Sequence, residues 1–313
     1  MDKKLLEEAM ADMPKENEDA IKSKTAVYVI LETLGKGSFG AVFRVQRLPD
    51  KKELAMKCES QRMKRKVGKN LWDLRVENPQ RRFSLVTSIR VAEQTLAGIR
   101  DLHTCGYIHR DIKPPNFAIG REEDGDQHTV YILDFGLSRR YRSLGKDLRY
   151  QRVKAAFRGT TRYASISALE LKDQSRKDDV ESWWYMVLEW MVGHLPWRHC
   201  RGGQRDIVRF LKLELRKRPL LEKILEGGPV EYMSNIILYI DTLEYASIPD
   251  YDHIAAQLQA SMEAHHLSYA DPPDWDLMSA YVGPRYEMNM SHELPCRSYI
   301  LNMSYEVTTI TKN

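Results

Sequence analysis

Between residues 84 and 103 the apolar positions fall at 85, 89, 92, 96, 99 and 102, the three-and-four spacing that places them on one helix face. The spacing predicts a long amphipathic helix there. Upstream the period changes: Val27-Tyr28-Val29-Ile30-Leu31, the run from Ala41 to Val45 and the run from Glu53 to Cys58 read as three short antiparallel strands in sequence order. Downstream, Trp183, Trp184, Tyr185, Met186, Val187, Leu188, Trp190 and Met191 leave the helix expected over 179–192 with almost no polar face, so it must be buried on most sides. The two ends carry less signal. Residues 1–24 are polar and of mixed charge, with Leu5, Leu6, Ala9, Met10 and Met13 at a helical period, and 269–313 has no strong period.

Composition changes this picture little. With 313 residues and 42% hydrophobic content the chain can build one large two-lobed domain. The net charge of +4 is too small over this length to argue for nucleic acid or a membrane surface. Cys58, Cys105, Cys200 and Cys296 stand far apart with no CxxC spacing, which suggests neither a zinc site nor a disulfide framework and fits a reducing compartment. The charged start lacks a signal-type apolar core, and the most apolar later run is broken by Glu189. A cytoplasmic protein is expected, with the nucleus also open to it.

Chemistry enters with Gly35-Lys36-Gly37-Ser38-Phe39-Gly40-Ala41-Val42, a GxGxxGxV between two expected strands. Glycines let backbone amides approach phosphate oxygens closely, although such a hairpin alone also fits a plain turn. Seventeen residues after Gly40, Leu54-Ala55-Met56-Lys57 matches a strand whose lysine holds nucleotide phosphates. His109-Arg110-Asp111, with Lys113 and Asn116 at the HRDxKxxN offsets, follows the long helix. That chemistry needs a carboxylate (Asp111) to orient and deprotonate a hydroxyl, a lysine (Lys113) against phosphoryl charge, and an amide (Asn116) for magnesium. Asp134-Phe135-Gly136, twenty-three residues beyond Asp111, supplies the second magnesium ligand.

On these residues the chain resembles the casein kinase 1 superfamily of protein kinases, and within it the tau-tubulin kinase-like branch. The resemblance runs from about Val27 to Asp274. Its most specific parts are Phe157-Arg158-Gly159-Thr160-Thr161-Arg162-Tyr163-Ala164-Ser165-Ile166-Ser167 and Lys177-Asp178-Asp179-Val180-Glu181-Ser182. Ser167 stands where the family usually has asparagine. The resemblance implies an α+β, two-lobed kinase fold over 25–275, divided into a sheet-rich lobe (25–67) and a helical lobe (68–275), with an extension before it and a tail over 276–313. It implies a serine/threonine kinase that uses ATP and Mg²⁺, with adenine between Val42 and Ala55 above and Ala118 below. It gives Asp179 the role of anchoring the catalytic-loop backbone. A protein substrate is implied and a monomer expected. Arg139, Arg140, Arg142, Lys146, Arg149, Arg152, Lys154 and Arg158 crowd the following segment, which suits an acidic or already phosphorylated substrate and equally a solvated loop; Arg158 and Arg162 are the candidates for phosphate contact.

One part is short. If residues 68–75 follow the hinge, only 59–67 lie between the lysine strand and the hinge. A helix and two strands need at least about twenty residues before any loops. The helix the family calls αC, the two strands after it and the glutamate that braces the lysine are therefore expected to be missing. Three readings follow: an active kinase that braces Lys57 otherwise, with Glu7 or Glu8 as candidates, a catalytically impaired binding module, or the product of an incomplete transcript.

Overall fold

A computed structural model describes residues 13–23, 26–37, 40–59, 67–141, 150–201 and 203–278. Four strands come first: β1 (Ala20–Lys22), β2 (Val27–Gly37), β3 (Gly40–Arg47) and β4 (Lys52–Glu59), antiparallel in the order β1-β2-β3-β4. The strand β1 corrects the expectation of three strands, because Ala20, Ile21 and Lys22 pair with Val29, Tyr28 and Val27 and cover the edge of β2. Glu16 reinforces that edge by accepting a hydrogen bond from the Thr33 N–H (2.8 Å). In β3, Ala41, Phe43 and Val45 alternate inward and are buried, and with Ile30 they form the sheet's own small core.

The helical body begins with α1 (Leu71–Glu77), capped by the Asn70 side chain, which accepts from the Asp73 N–H at 2.9 Å. Helix α2 (Leu85–Thr104) is the expected long helix, capped by Ser84. Short strand pairs follow, β5 (Tyr107–Ile108) with β8 (Arg139–Arg140) and β6 (Phe117–Ile119) with β7 (Val130–Ile132). Then come α3 (Ile166–Leu169), α4 (Arg176–Val192), α5 (Arg205–Leu215), α6 (Arg218–Ile224), α7 (Val230–Asp241), α8 (Tyr251–Ala264) and α9 (Asp274–Met278).

Helix α4 starts a turn before the apolar run does and lies at the centre of the body. Trp183, Trp184 and Trp190 are each buried on it. The Trp183 indole donates to the Thr95 hydroxyl (3.0 Å) on α2, and the Trp184 indole to the Met233 carbonyl (3.0 Å) on α7, so these two buried N–H groups have acceptors. The body's core runs from Leu71 to Met262 and shares no member with the sheet's core among the described residues. Asp274 closes the domain: buried, it accepts from the Ser84 N–H (2.7 Å) and the Ser84 (2.6 Å) and Thr87 (2.9 Å) hydroxyls at the start of α2. No described helix is long and apolar enough to cross a membrane.

Candidate active site

The catalytic loop occupies the turn between β5 and β6, and α4 fixes it from below. Both carboxylate oxygens of the buried Asp179 are used: the Arg110 N–H donates to Oδ1 (2.8 Å), while the His109 N–H (2.6 Å) and His103 Nε2 (2.9 Å) meet Oδ2. Burial pushes this carboxyl up, but the hydrogen bonds from His103 and the His109 amide outweigh it and leave it below the usual carboxylate value. His109, fully buried, accepts the Asp111 N–H on Nδ1 (3.3 Å) and so presents its Nε2–H to the Leu133 carbonyl (2.9 Å). That bond ties the loop to the strand leading into Asp134.

Arg110 holds a left-handed conformation (φ 66°), which turns the chain sharply and carries Asp111 to the rim of the body. Asp111 is 9% exposed. Its Oδ2 receives Lys113 Nζ at 2.5 Å and its Oδ1 receives the Thr160 hydroxyl at 2.8 Å; Lys113 also reaches Thr160 (3.3 Å). The Asn116 amide nitrogen donates to the Asp111 carbonyl (2.8 Å), which leaves the amide oxygen for a cation. Asn116 and Asp134 are brought near each other by the Leu133 N–H, which donates to the Asn116 carbonyl (2.7 Å). Their donors are two hard oxygens of the kind magnesium takes. Ala118, buried, sits two residues past Asn116 on β6, opposite Tyr131, and bridges Asn70.

The glycine and lysine candidates form a second group on the sheet. Gly37 pairs with Gly40 across the β2–β3 hairpin, Gly35 pairs with Val42, and Val42 stands opposite Lys57. Ala55 lies two residues from Lys57 on β4, and Val42 and Ala55 share the sheet face turned away from the buried Phe43 and Val45. The residues proposed to brace Lys57, Glu7 and Glu8, lie outside the described residues, as do Arg142, Lys146, Arg149 and the tail beyond 278.

Several contacts were not anticipated. Thr160 belongs to the motif quoted above, but nothing in its spacing announces a bond to Asp111. Asp173, buried, gathers Arg139 (2.6 Å) and Arg152 (2.8 Å) onto one carboxylate. Arg162, a candidate for phosphate contact, instead pairs with the buried Glu189 (3.3 Å) and stacks over Trp72 (5.5 Å). Arg158 and Lys154 are exposed. The Gly159 backbone (φ 107°) passes so near the catalytic loop that a Cβ there would lie 2.6 Å from the Arg110 carbonyl.

Comparison with known proteins agrees with this arrangement. The model of the protein kinase domain family matches residues 67–226. The chain belongs to the protein kinase family. It is 37% identical over 210 residues to serine/threonine-protein kinase spe-6 of Caenorhabditis elegans, covering 67% of this chain and 55% of that protein. It is 26% identical over 304 residues to casein kinase I homolog 3 of Schizosaccharomyces pombe, covering 85% of this chain and 69% of that protein. The chain thus spans about half the length of the first relative. An α+β kinase fold, with a small sheet-rich part before a helical body, is what membership of this family entails.

Proposed function

We propose that this chain transfers the γ-phosphoryl group of Mg-ATP to serine or threonine hydroxyls of proteins, as a casein kinase 1 superfamily member of the tau-tubulin kinase-like branch. The observation that carries this reading is Asp111, held by Lys113 and Thr160 at the rim of the body. Asp111 would accept the hydrogen bond of a substrate hydroxyl and take its proton, and Lys113 would offset charge on the phosphoryl oxygens. Asn116 and Asp134 are the residues for the metal, and the 35–42 hairpin with Lys57 for the phosphates. Bound Mg-ATP supplies the electrophilic phosphorus. The kinase region is taken as 25–275, its end supported by Asp274 docking on α2.

A second reading has its own support. Between the end of β4 at Glu59 and the start of α1 at Leu71 there are eleven residues, too few for the αC helix and two strands. Their loss would remove the glutamate that orients Lys57 and most of the adenine hinge, leaving an impaired binding module. Transfer of labelled phosphate to casein separates the two. The kinase reading expects incorporation at least about a hundredfold above an Asp111→Asn control, the scale of a general base. Incorporation equal to the control overturns it in favour of the binding module.

A further inference from the structure

The anchor beneath the catalytic loop reaches further than Asp179. His103, in the last turn of α2, is buried and held at both ring nitrogens: Nε2 lies 2.9 Å from Asp179 Oδ2, and Nδ1 lies 2.6 Å from the Tyr251 hydroxyl. Tyr251 is the first residue of α8, a helix that packs on α2 and whose start is fixed by the Asp250 carboxylate, which accepts the His253 N–H at 2.8 Å. One hydroxyl on α8 thus stands at the end of a line that runs through His103 and Asp179 to the backbone N–H groups of His109 and Arg110.

The hydrogens along that line follow from its two ends. Asp179 already accepts from the His109 and Arg110 N–H groups and has nothing to donate, so Nε2 of His103 carries a hydrogen. The Tyr251 hydroxyl makes no other hydrogen bond among the described residues. Were it to accept from Nδ1, its own proton would lack a partner in the protein. Burial also pushes this hydroxyl above its ordinary value, so it keeps its proton. The hydroxyl therefore donates, and Nδ1 is bare. Tyr141 closes the other side: its ring stands edge-on to the imidazole (6.5 Å, 87°), and its hydroxyl donates to the His103 carbonyl (2.5 Å).

We propose that Tyr251 is a positioning residue for phosphoryl transfer: its hydroxyl fixes the His103 ring with Nε2–H on Asp179, and so steadies the turn at Arg110 from which Asp111 projects. This rests on the kinase reading. A ring flipped about its stem would turn carbon toward both Asp179 and Tyr251, and the Tyr251 bond adds to the cost of that flip. Donation to Nδ1 also polarises the imidazole and makes Nε2–H a stronger donor to Asp179. Arg110 needs the support, since its left-handed backbone (φ 66°) is a conformation that persists only where the surroundings hold it, and Asp179 Oδ1 on its N–H is one such hold. Asp111 is the next residue and moves with that turn. Tyr251 touches none of the reacting atoms, so its effect falls on kcat and not on the KM for ATP.

The test uses Tyr251→Phe, His103→Gln and the two combined, with casein as substrate. The glutamine amide can donate to Asp179 as Nε2–H does, but it offers no Nδ1 to Tyr251. Tyr251→Phe should lower kcat about fivefold with both KM values within about twofold, whereas on the His103→Gln background the same change should alter kcat by less than about twofold. An equal loss on both backgrounds means that Tyr251 serves packing alone and overturns the proposal, as does an unchanged kcat in Tyr251→Phe. Nitrogen NMR of histidine-labelled protein reads the line directly, with His103→Gln identifying the signals. The wild type should show a bare Nδ1 that moves downfield in Tyr251→Phe, where it loses its donor; a hydrogen on Nδ1 of the wild type overturns the proposal. If the wild type phosphorylates nothing, the kinase reading fails instead. Amide hydrogen exchange at His109 and Arg110 then decides whether Tyr251 steadies the turn: exchange about tenfold faster in Tyr251→Phe supports it, and unchanged exchange overturns it.

Discussion

Thr160 sets how Asp111 is presented. With the hydroxyl on Oδ1 and Lys113 on Oδ2, the carboxylate plane is held from both sides, and each oxygen keeps a lone pair for an incoming hydroxyl. Replacing Thr160 by Ala removes one of these holds and lets the carboxylate rotate. A hydrogen bond to a charged group is worth roughly 1.5–3 kcal/mol, so kcat should fall by about ten- to a hundredfold. KM for ATP should stay within about twofold, and Thr160→Ser should restore most of the rate. Steady-state kinetics of the two variants decide it; an unchanged kcat for the alanine variant would show that Asp111 needs no such hold. Asp111, Lys113 and Asn116 were readable because they fall within one short loop whose spacing is the signal. Thr160 was not, since its bond to Asp111 spans 49 positions and is created by the tertiary path of the chain. The same limit hid the pairing of Arg162 with Glu189, which occupies an arginine expected to contact phosphate.

Among the elements, α4 carries a titrating group at its first turn. Asp178 is buried, accepts from the Ser175 N–H (2.7 Å) and the Ser165 hydroxyl (2.6 Å), and burial pushes its carboxyl from 3.8 up to about 6. The folded protein thus holds this proton more tightly than the unfolded chain does. Its contribution to stability is full below about pH 4 and is lost as pH rises through about 6, a difference of about two pH units or roughly 3 kcal/mol. Denaturant unfolding at pH 4, 5, 6 and 7 should therefore show the stability of Asp178→Asn gaining on the wild type by up to that amount across the window; a constant gap would remove Asp178 from the account. The helix itself was legible from its apolar run, but its first turn, Arg176-Lys177-Asp178, is polar and gave no periodic signal. Strand β1 escaped notice for a related reason. Ala20-Ile21-Lys22 is too short for alternation to register, and only pairing with β2 makes it a strand.

At the scale of the molecule, the sheet and the helical body differ greatly in what they bury. Among the described residues four make up the sheet's core, Ile30, Ala41, Phe43 and Val45, whereas the body's core includes four tryptophans and most of α4. A four-stranded sheet with so little buried surface is marginal on its own. Amide hydrogen exchange followed by mass spectrometry should find β2 and β3 exchanging far faster than α4, with opening free energies lower by several kcal/mol. Equal protection would mean that the two parts open as one unit. The two-part architecture was visible in the switch from strand alternation to helical spacing, because each period is a local property. How firmly the parts hold together is a sum over contacts distant in sequence, and no stretch of the chain records it.

The separateness of the two cores also bears on how such a chain can persist through descent. Among the described residues the body takes no core member from upstream of Leu71, so changes in the sheet leave the packing around Asp111, Asn116 and Asp134 in place. A lineage can shorten the first half and still inherit a well-folded second half, with the catalytic residues carried along as long as the fold around α4 is kept.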